Sequence, residues 1–214
     1  MVAAHLAVRR ATEQDAESIT HILSRSFYLD PPLMWILPDD GERPRLSRAF
    51  FRPIVDMVLA DGIGYINEDR TAASLWMDVD VTAPPPDDGG MFRKQMQEAL
   101  GQAAADRFSI LDDMFNEGHP DHASHAYLMF AGVIPERQSR GLGSHLIATH
   151  LANLDATGRP AYLESSSIRN ERLYRRLGFK PIGNPVELPG GPRLVRMWRD
   201  PATAESNAQP TPTV

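Results

Sequence analysis

The residues best equipped for chemistry lie in one stretch of the C-terminal half, Val133-Ile-Pro-Glu-Arg-Gln138-Ser139-Arg140-Gly141-Leu142-Gly143-Ser144. An apolar run that reads as a strand enters a glycine-bearing loop, and the loop opens an amphipathic segment that reads as a helix. Gly141 and Gly143 carry no Cβ, so a ligand can approach the backbone closely there. Loop amides and a helix N-terminus present positive potential that suits a pyrophosphate, and Arg137 and Arg140 add charge. The string is not a Walker loop, because no Gly-Lys-Ser/Thr follows. Nor is it the dinucleotide fingerprint, because Leu146 stands where the third glycine would fall.

A second group of residues suits proton transfer. Glu164 is a carboxylate in an otherwise apolar strand, and burial there raises its pKa toward neutrality. His125 and Tyr127 stand two apart on one strand and share a face. Candidate bases are therefore Glu164, His125, Tyr127 or a water that they hold, with Glu164 and His125 preferred. His119-Pro-Asp-His122-Ala-Ser-His125 has the spacing of a metal cluster, but Pro120 interrupts it and zinc commonly wants a fourth ligand, so no metal is expected. Ser165-Ser-Ser167 sits in no Gly-x-Ser-x-Gly elbow, which argues against a serine hydrolase. Tyr28, at the head of an apolar, proline-rich loop, joins Trp35, Trp76 and Tyr127 as a candidate wall for an acceptor. Trp35 and Trp76 with Asp78 suit an aromatic, cationic one.

The elements that must position these groups follow from periodicity and punctuation. Strands are expected over 5–10, 62–67, 72–80, 125–133, 161–165, 180–187 and 194–199. Helices are expected over 13–27, 45–59, 91–100, 103–116, 141–156 and 170–177, the first opened by Thr12 with Asp15 in a box-like position. Residues 28–40, with Pro31, Pro32 and Pro38, read as a loop, and 82–90 as a clear breaker. The order is mixed α/β (α+β), antiparallel early, with a β-α-β unit late. One domain over 5–200 is expected, followed by a disordered tail over 201–214.

Composition narrows the class. The chain has 214 residues, 42% apolar and 23% charged, which is ordinary for a globular protein. No apolar run approaches a membrane span, and the first ten residues lack the core of a secretory signal. The net charge of −6 argues against a general nucleic-acid binder and is compatible with a cationic substrate. Cysteine is absent, so there is no disulfide, thiolate nucleophile or acyl-cysteine carrier. A cytoplasmic enzyme with no membrane or nucleic-acid partner is the expectation.

Gln138-x-x-Gly141-x-Gly143 resembles the coenzyme A motif of the GNAT N-acetyltransferase superfamily. Tyr162-Leu-Glu164-Ser-Ser and Asn170-Glu-Arg-Leu-Tyr174-Arg-Arg-Leu-Gly178-Phe179 are similar to that family's following strand and second motif. Over residues 125–197 the likeness is closest to puromycin N-acetyltransferase and its actinobacterial relatives. It rests there on Gly132-Val-x-Pro, Gly141-Leu-Gly-Ser144, Leu163-Glu-x-Ser, Arg169-Asn170, Tyr174-x-Arg-Leu-Gly-Phe179 and Pro189-x-Gly-Pro192. Before residue 119 it rests on element order and a loose Phe27…Pro pattern.

The resemblance implies a mostly antiparallel sheet of about six to seven strands flanked by helices, with a splayed parallel pair that binds CoA. It implies acetyl-CoA as co-substrate, with the amides of Gln138, Ser139, Arg140, Gly141, Leu142, Gly143 and Ser144 on its pyrophosphate. Backbone at Ala131 and Val133 would pair with pantetheine, and the Ala131 N–H would polarise the thioester carbonyl. Asn170 would contact the cofactor arm and Tyr174 would protonate the departing thiolate. The expected reaction is direct N-acetylation of a small-molecule amine, an antibiotic or other secondary metabolite among the candidates, by a monomer or homodimer. The alternatives are a protein or peptide N-acetyltransferase and a CoA-binding sensor without catalysis.

Overall fold

The computed structural model describes residues 7–83 and 90–202. Most of the tail expected over 201–214, most of the breaker at 82–90 and the first residues of strand 5–10 lie outside them; Ala202, counted in that tail, donates its N–H to Asp155 at 2.7 Å.

The chain begins with β1 (Val8–Arg10), whose Arg9 guanidinium grips the buried Asp15 carboxylate through two 2.7 Å bonds. Thr12 donates its N–H to the same carboxylate at 3.0 Å, so the sequence-predicted box forms around a 3-10 turn before α1 (Ala16–Ser26). Helix α2 (Pro31–Ile36) stands inside the stretch expected to be loop. Both prolines occupy its first turn, where a missing N–H costs nothing and the fixed φ favours the helix. Next come α3 (Arg43–Asp61), β2 (Ile63–Asn67) and β3 (Ala72–Val79). Helices α4 (Met91–Leu100) and α5 (Gln102–Glu117) precede β4 (His125–Val133). The last part is α6 (Leu142–Ala156), β5 (Ala161–Ser165), α7 (Ile168–Arg176) and β8 (Arg193–Arg199). The strand expected over 180–187 is instead two short pieces, β6 (Lys180–Pro181) and β7 (Val186–Glu187), both paired to β8.

The eight strands run β1-β2-β3-β4-β5-β8-β6, with β7 beside β8. All pairs are antiparallel except β4 with β5. Helices α1 to α5 bury one face around Phe50, Phe51 and Phe108, while α6 and α7 bury the other around Trp76, Leu146, Leu163 and Phe179. Each buried phenylalanine contributes about 1.5–3 kcal/mol in this way. Arg199 locks the second layer: its guanidinium pairs Asp155 of α6 at 2.7 and 2.8 Å and donates to the Leu177 carbonyl at 2.9 Å.

Two irregularities shape the centre of the sheet. Leu75 pairs with Phe130 and Trp76 with Leu128, so Met129 is an extra residue that bends β4. The parallel pairing of β4 with β5 covers only Ala126–Ala161 and Tyr127–Tyr162. Beyond it the two strands part.

Candidate active site

Beside the end of β4, past its pairing with β5, lies a cavity of about 330 Å³. Its walls come from four places: the end of β4, the loop into α6, α7, and the α1–α2 junction. Ala131, Val133, Gln138, Ser139, Gly141, Leu142, Gly143, Ser144, Asn170 and Tyr174 all line it. Arg140 is exposed at the loop tip and does not line it; Arg137, Arg169 and Arg176 supply the positive charge of its walls.

The loop is held by its own contacts. Gly141 takes φ +81° at the N-cap of α6, a left-handed conformation cheap only for glycine. Ser139 takes φ +61° as well, and Arg169 of α7 donates to its hydroxyl at 2.9 Å, tying the two motifs together. Gln138 Nε2 donates to the Val133 carbonyl at 3.0 Å and folds the loop back onto β4. Ser167 caps α7 by accepting the Asn170 N–H at 3.2 Å, which sets the Asn170 side chain at the cavity wall.

No protein-family model matches the chain. An uncharacterized N-acetyltransferase of Schizosaccharomyces pombe is 26% identical over 188 residues, 81% of this chain and 74% of the yeast one. A solved structure from Corynebacterium glutamicum, described as histone acetyltransferase HPA2 and related acetyltransferase, is 25% identical with a TM-score of 0.69. It spans 92% of this chain and 97% of its own. Arylalkylamine N-acetyltransferase 2 of Aedes aegypti is 16% identical, covers 92% of this chain and 99% of its own, and superposes with a TM-score of 0.62. The chain has the GNAT fold and is an N-acetyltransferase of that type.

In this GNAT sheet, a polar nest stands on the α5 side of the parallel pair. Tyr127 and Tyr162 donate to the two oxygens of Glu164 at 2.8 and 2.7 Å. Burial outweighs these bonds and pushes the Glu164 carboxyl up to about 7. Burial also raises both phenols, so both stay protonated donors. His119 packs edge-on against both tyrosine rings at 5.0 and 4.8 Å.

Several sequence-predicted residues are placed away from the cavity. His125 is fully buried. Its Nδ1 donates to the Ala123 carbonyl at 2.8 Å and its Nε2 accepts from His119 at 3.0 Å. Burial lowers its pKa, so it is a neutral packing residue rather than a base at the reacting atoms. Trp76 is sealed under α6 against His150, with its indole N–H on Ser74 at 3.1 Å, because its strand position faces the second core. It lines no acceptor pocket. Tyr28 is half-buried under the Arg43 guanidinium, 5.4 Å from its ring, and lines a separate hollow with His21, Ser24 and Pro44. Trp35 donates to the Pro189 carbonyl at 3.2 Å, clamps α2 onto the β7–β8 turn and does not line the cavity. Tyr127 reaches Glu164 instead of the cavity. Among the described residues no group of three His, Asp or Glu could hold a metal ion.

The structure adds residues that sequence reasoning missed. Asp30, at the N-cap of α2, lines the cavity with Ser26 and Phe27. Ser166 donates to Asp30 Oδ1 at 2.6 Å across 136 residues of sequence. Burial pushes the Asp30 carboxyl up to about 6. Tyr174, on the same cavity, is raised further above the usual phenol range, first by burial and then by the Asp30 charge. The signal for Asp30 was its place before Pro31-Pro32, a helix N-cap pattern that also reads as a turn.

Proposed function

We propose that this enzyme moves the acetyl group of acetyl-CoA to the primary amine of a small molecule by direct attack in a ternary complex. The observation that carries the reading is the cavity beside the end of β4, which brings the glycine loop, Asn170 and Tyr174 onto one set of walls. Those walls fit the co-substrate: backbone amides at a helix N-terminus and three arginines for phosphate, then the end of β4 for the pantetheine arm. The Ala131 backbone on the cavity wall suits a developing oxyanion.

With no cysteine in the chain, the acceptor nitrogen attacks the thioester carbon itself. Tyr174 keeps its proton at neutral pH and gives it to the departing sulfur. Glu164, raised toward neutrality, is the residue of the polar nest able to hold a proton. In this reading the acceptor side lies at the α1–α2 junction, where Ser26, Phe27 and Asp30 line the cavity and Trp35 braces the helix that follows. A cavity of about 330 Å³ suits a small molecule better than an extended peptide. Structural relatives are named for arylalkylamine and agmatine acetylation, and the sequence likeness to puromycin N-acetyltransferases places antibiotic amines in the same panel. We read the chain as one cytoplasmic domain.

Thiol release from acetyl-CoA against such a panel tests the reaction. Tyr174→Phe is expected to lower kcat by about 100-fold, the scale of a lost general acid, while CoA affinity by calorimetry stays within a factor of two or so. Unchanged turnover would remove Tyr174 from the acid role.

A further inference from the structure

We propose that Asp30, positioned by Ser166, receives the acceptor's ammonium group and takes its proton, so that the enzyme selects amines bearing no carboxylate beside the nitrogen. The inference rests on the acetyl-transfer reading and assigns the acceptor end of the same site.

The geometry separates Asp30 from the other proton acceptors. Both oxygens of Glu164 are occupied by tyrosine hydroxyls, and both nitrogens of His125 are engaged. Neither residue lines the cavity, whereas Asp30 does, alongside Ala131 and Tyr174. Only Oδ1 of Asp30 is engaged, by Ser166, and among the described residues Oδ2 has no hydrogen-bond partner. No described arginine, lysine or histidine forms an ion pair with Asp30, although Arg137, Arg169 and Arg176 stand on other parts of the wall. A partly buried carboxylate without a cation is costly, and an incoming ammonium supplies one. Sharing the cavity with it are Ser26 at the end of α1, Phe27 just after, Ala131 and Gly132 from β4 and Tyr174 from α7, while Ser166 after β5 is bonded to it.

The proton balance closes without a further reagent. The ammonium gives one proton to the Asp30 carboxylate, which later releases it to water. The freed nitrogen forms a bond to the thioester carbon, and the carbon–sulfur bond breaks. The thiolate takes the Tyr174 proton, and the second N–H proton of the former amine restores the phenol. An acceptor with an α-carboxylate would set a second negative charge beside Asp30 and be rejected.

The test uses the full-length enzyme with tyramine, agmatine, spermidine and puromycin as probe amines, and tyrosine as the carboxylate-bearing counterpart of tyramine. Amine binding to the CoA-loaded protein is read by calorimetry, and kcat/KM by thiol release across pH. Asp30→Asn is expected to lose kcat/KM by about 100-fold or more. It should also lose amine binding and the acid limb of the pH profile, with CoA affinity unchanged. Ser166→Ala removes the bond that lowers the Asp30 pKa, so the acid limb moves to higher pH. Tyramine is expected to exceed tyrosine, and Asp30→Asn to narrow that gap. An Asp30→Asn enzyme with the wild-type profile overturns the assignment and leaves acetyl transfer standing. A wild type that binds CoA and acetylates none of the amines overturns both, and one that does not bind CoA removes the acetyl-transfer reading on which the assignment rests.

Discussion

Glu164 and Asp30 are both partly buried carboxylates near the C-terminal end of β5, yet they are built in opposite ways. Glu164 is enclosed: two phenols donate to it, and His119 roofs their rings. Asp30 faces a cavity, with one hydroxyl on one oxygen. A polar group whose partners are all internal contributes to holding the fold, while one with a partner missing awaits a ligand. The same desolvation raises both acids, so the direction of the pKa shift does not tell them apart; their hydrogen-bond partners do.

Removing each acid should break the comparison most visibly. Glu164→Leu leaves two buried phenols without an acceptor, at about 1–3 kcal/mol each. Asp30→Ala frees one hydroxyl beside a cavity that admits water, at about 1 kcal/mol or less. Urea unfolding of the two variants should therefore show a large loss for the first and a small one for the second. Equal losses would mean that Asp30 is as structural as Glu164.

A smaller effect sharpens the electrostatic side. The folded Glu164 carboxyl sits at about 7 against an ordinary 4.5, so folding favours its neutral form. Its contribution to stability is full below pH 4.5 and is lost as pH rises through about 7. Glutamine resembles the neutral acid and does not titrate. Glu164→Gln is expected to match the wild type near pH 4.5 and to be the more stable protein above pH 7, by denaturant titration at both values. A constant gap would show that the nest holds Glu164 without the desolvation inferred for it.

The two carboxylates also differ in how far local sequence reveals them. Glu164 drew notice because a charge stands inside the apolar run Ala161–Ser165, but the sequence offered it as a base, whereas two phenols enclose it and it does not line the cavity. The glycine loop was legible because its residues are contiguous, and Gln138 to Ser144 carry the whole pattern. Asp30 was hidden because its meaning depends on Ser166, 136 residues away. Helix α2 was hidden because prolines that open a helix and prolines that forbid one look alike. Trp76 and His125 misled because strand alternation states which residues share a face but not which face meets the ligand. Long-range packing sets that second choice, here the placement of α6 over Trp76 and of His119 over the tyrosines.

The smallest expected effect concerns the roof of the enclosed acid. His125 Nδ1 donates to a carbonyl, so its Nε2 is an acceptor and His119 must present its own Nε2–H. That bond requires His125 to be neutral, and burial lowers the His119 pKa from 6.5 to about 4. The sign follows: the unfolded chain binds a proton at His119 below pH 6.5 while the folded chain does not, so stability is present above 6.5 and lost as pH falls toward 4. His150, held at about 4 in the second core, adds a parallel loss. His119→Gln keeps a donor for His125 and removes one titration, so its stability should fall less steeply over this window while His150 preserves the rest of the slope. An unchanged slope would place the acid sensitivity elsewhere, and the neutral imidazole pair would then be packing alone.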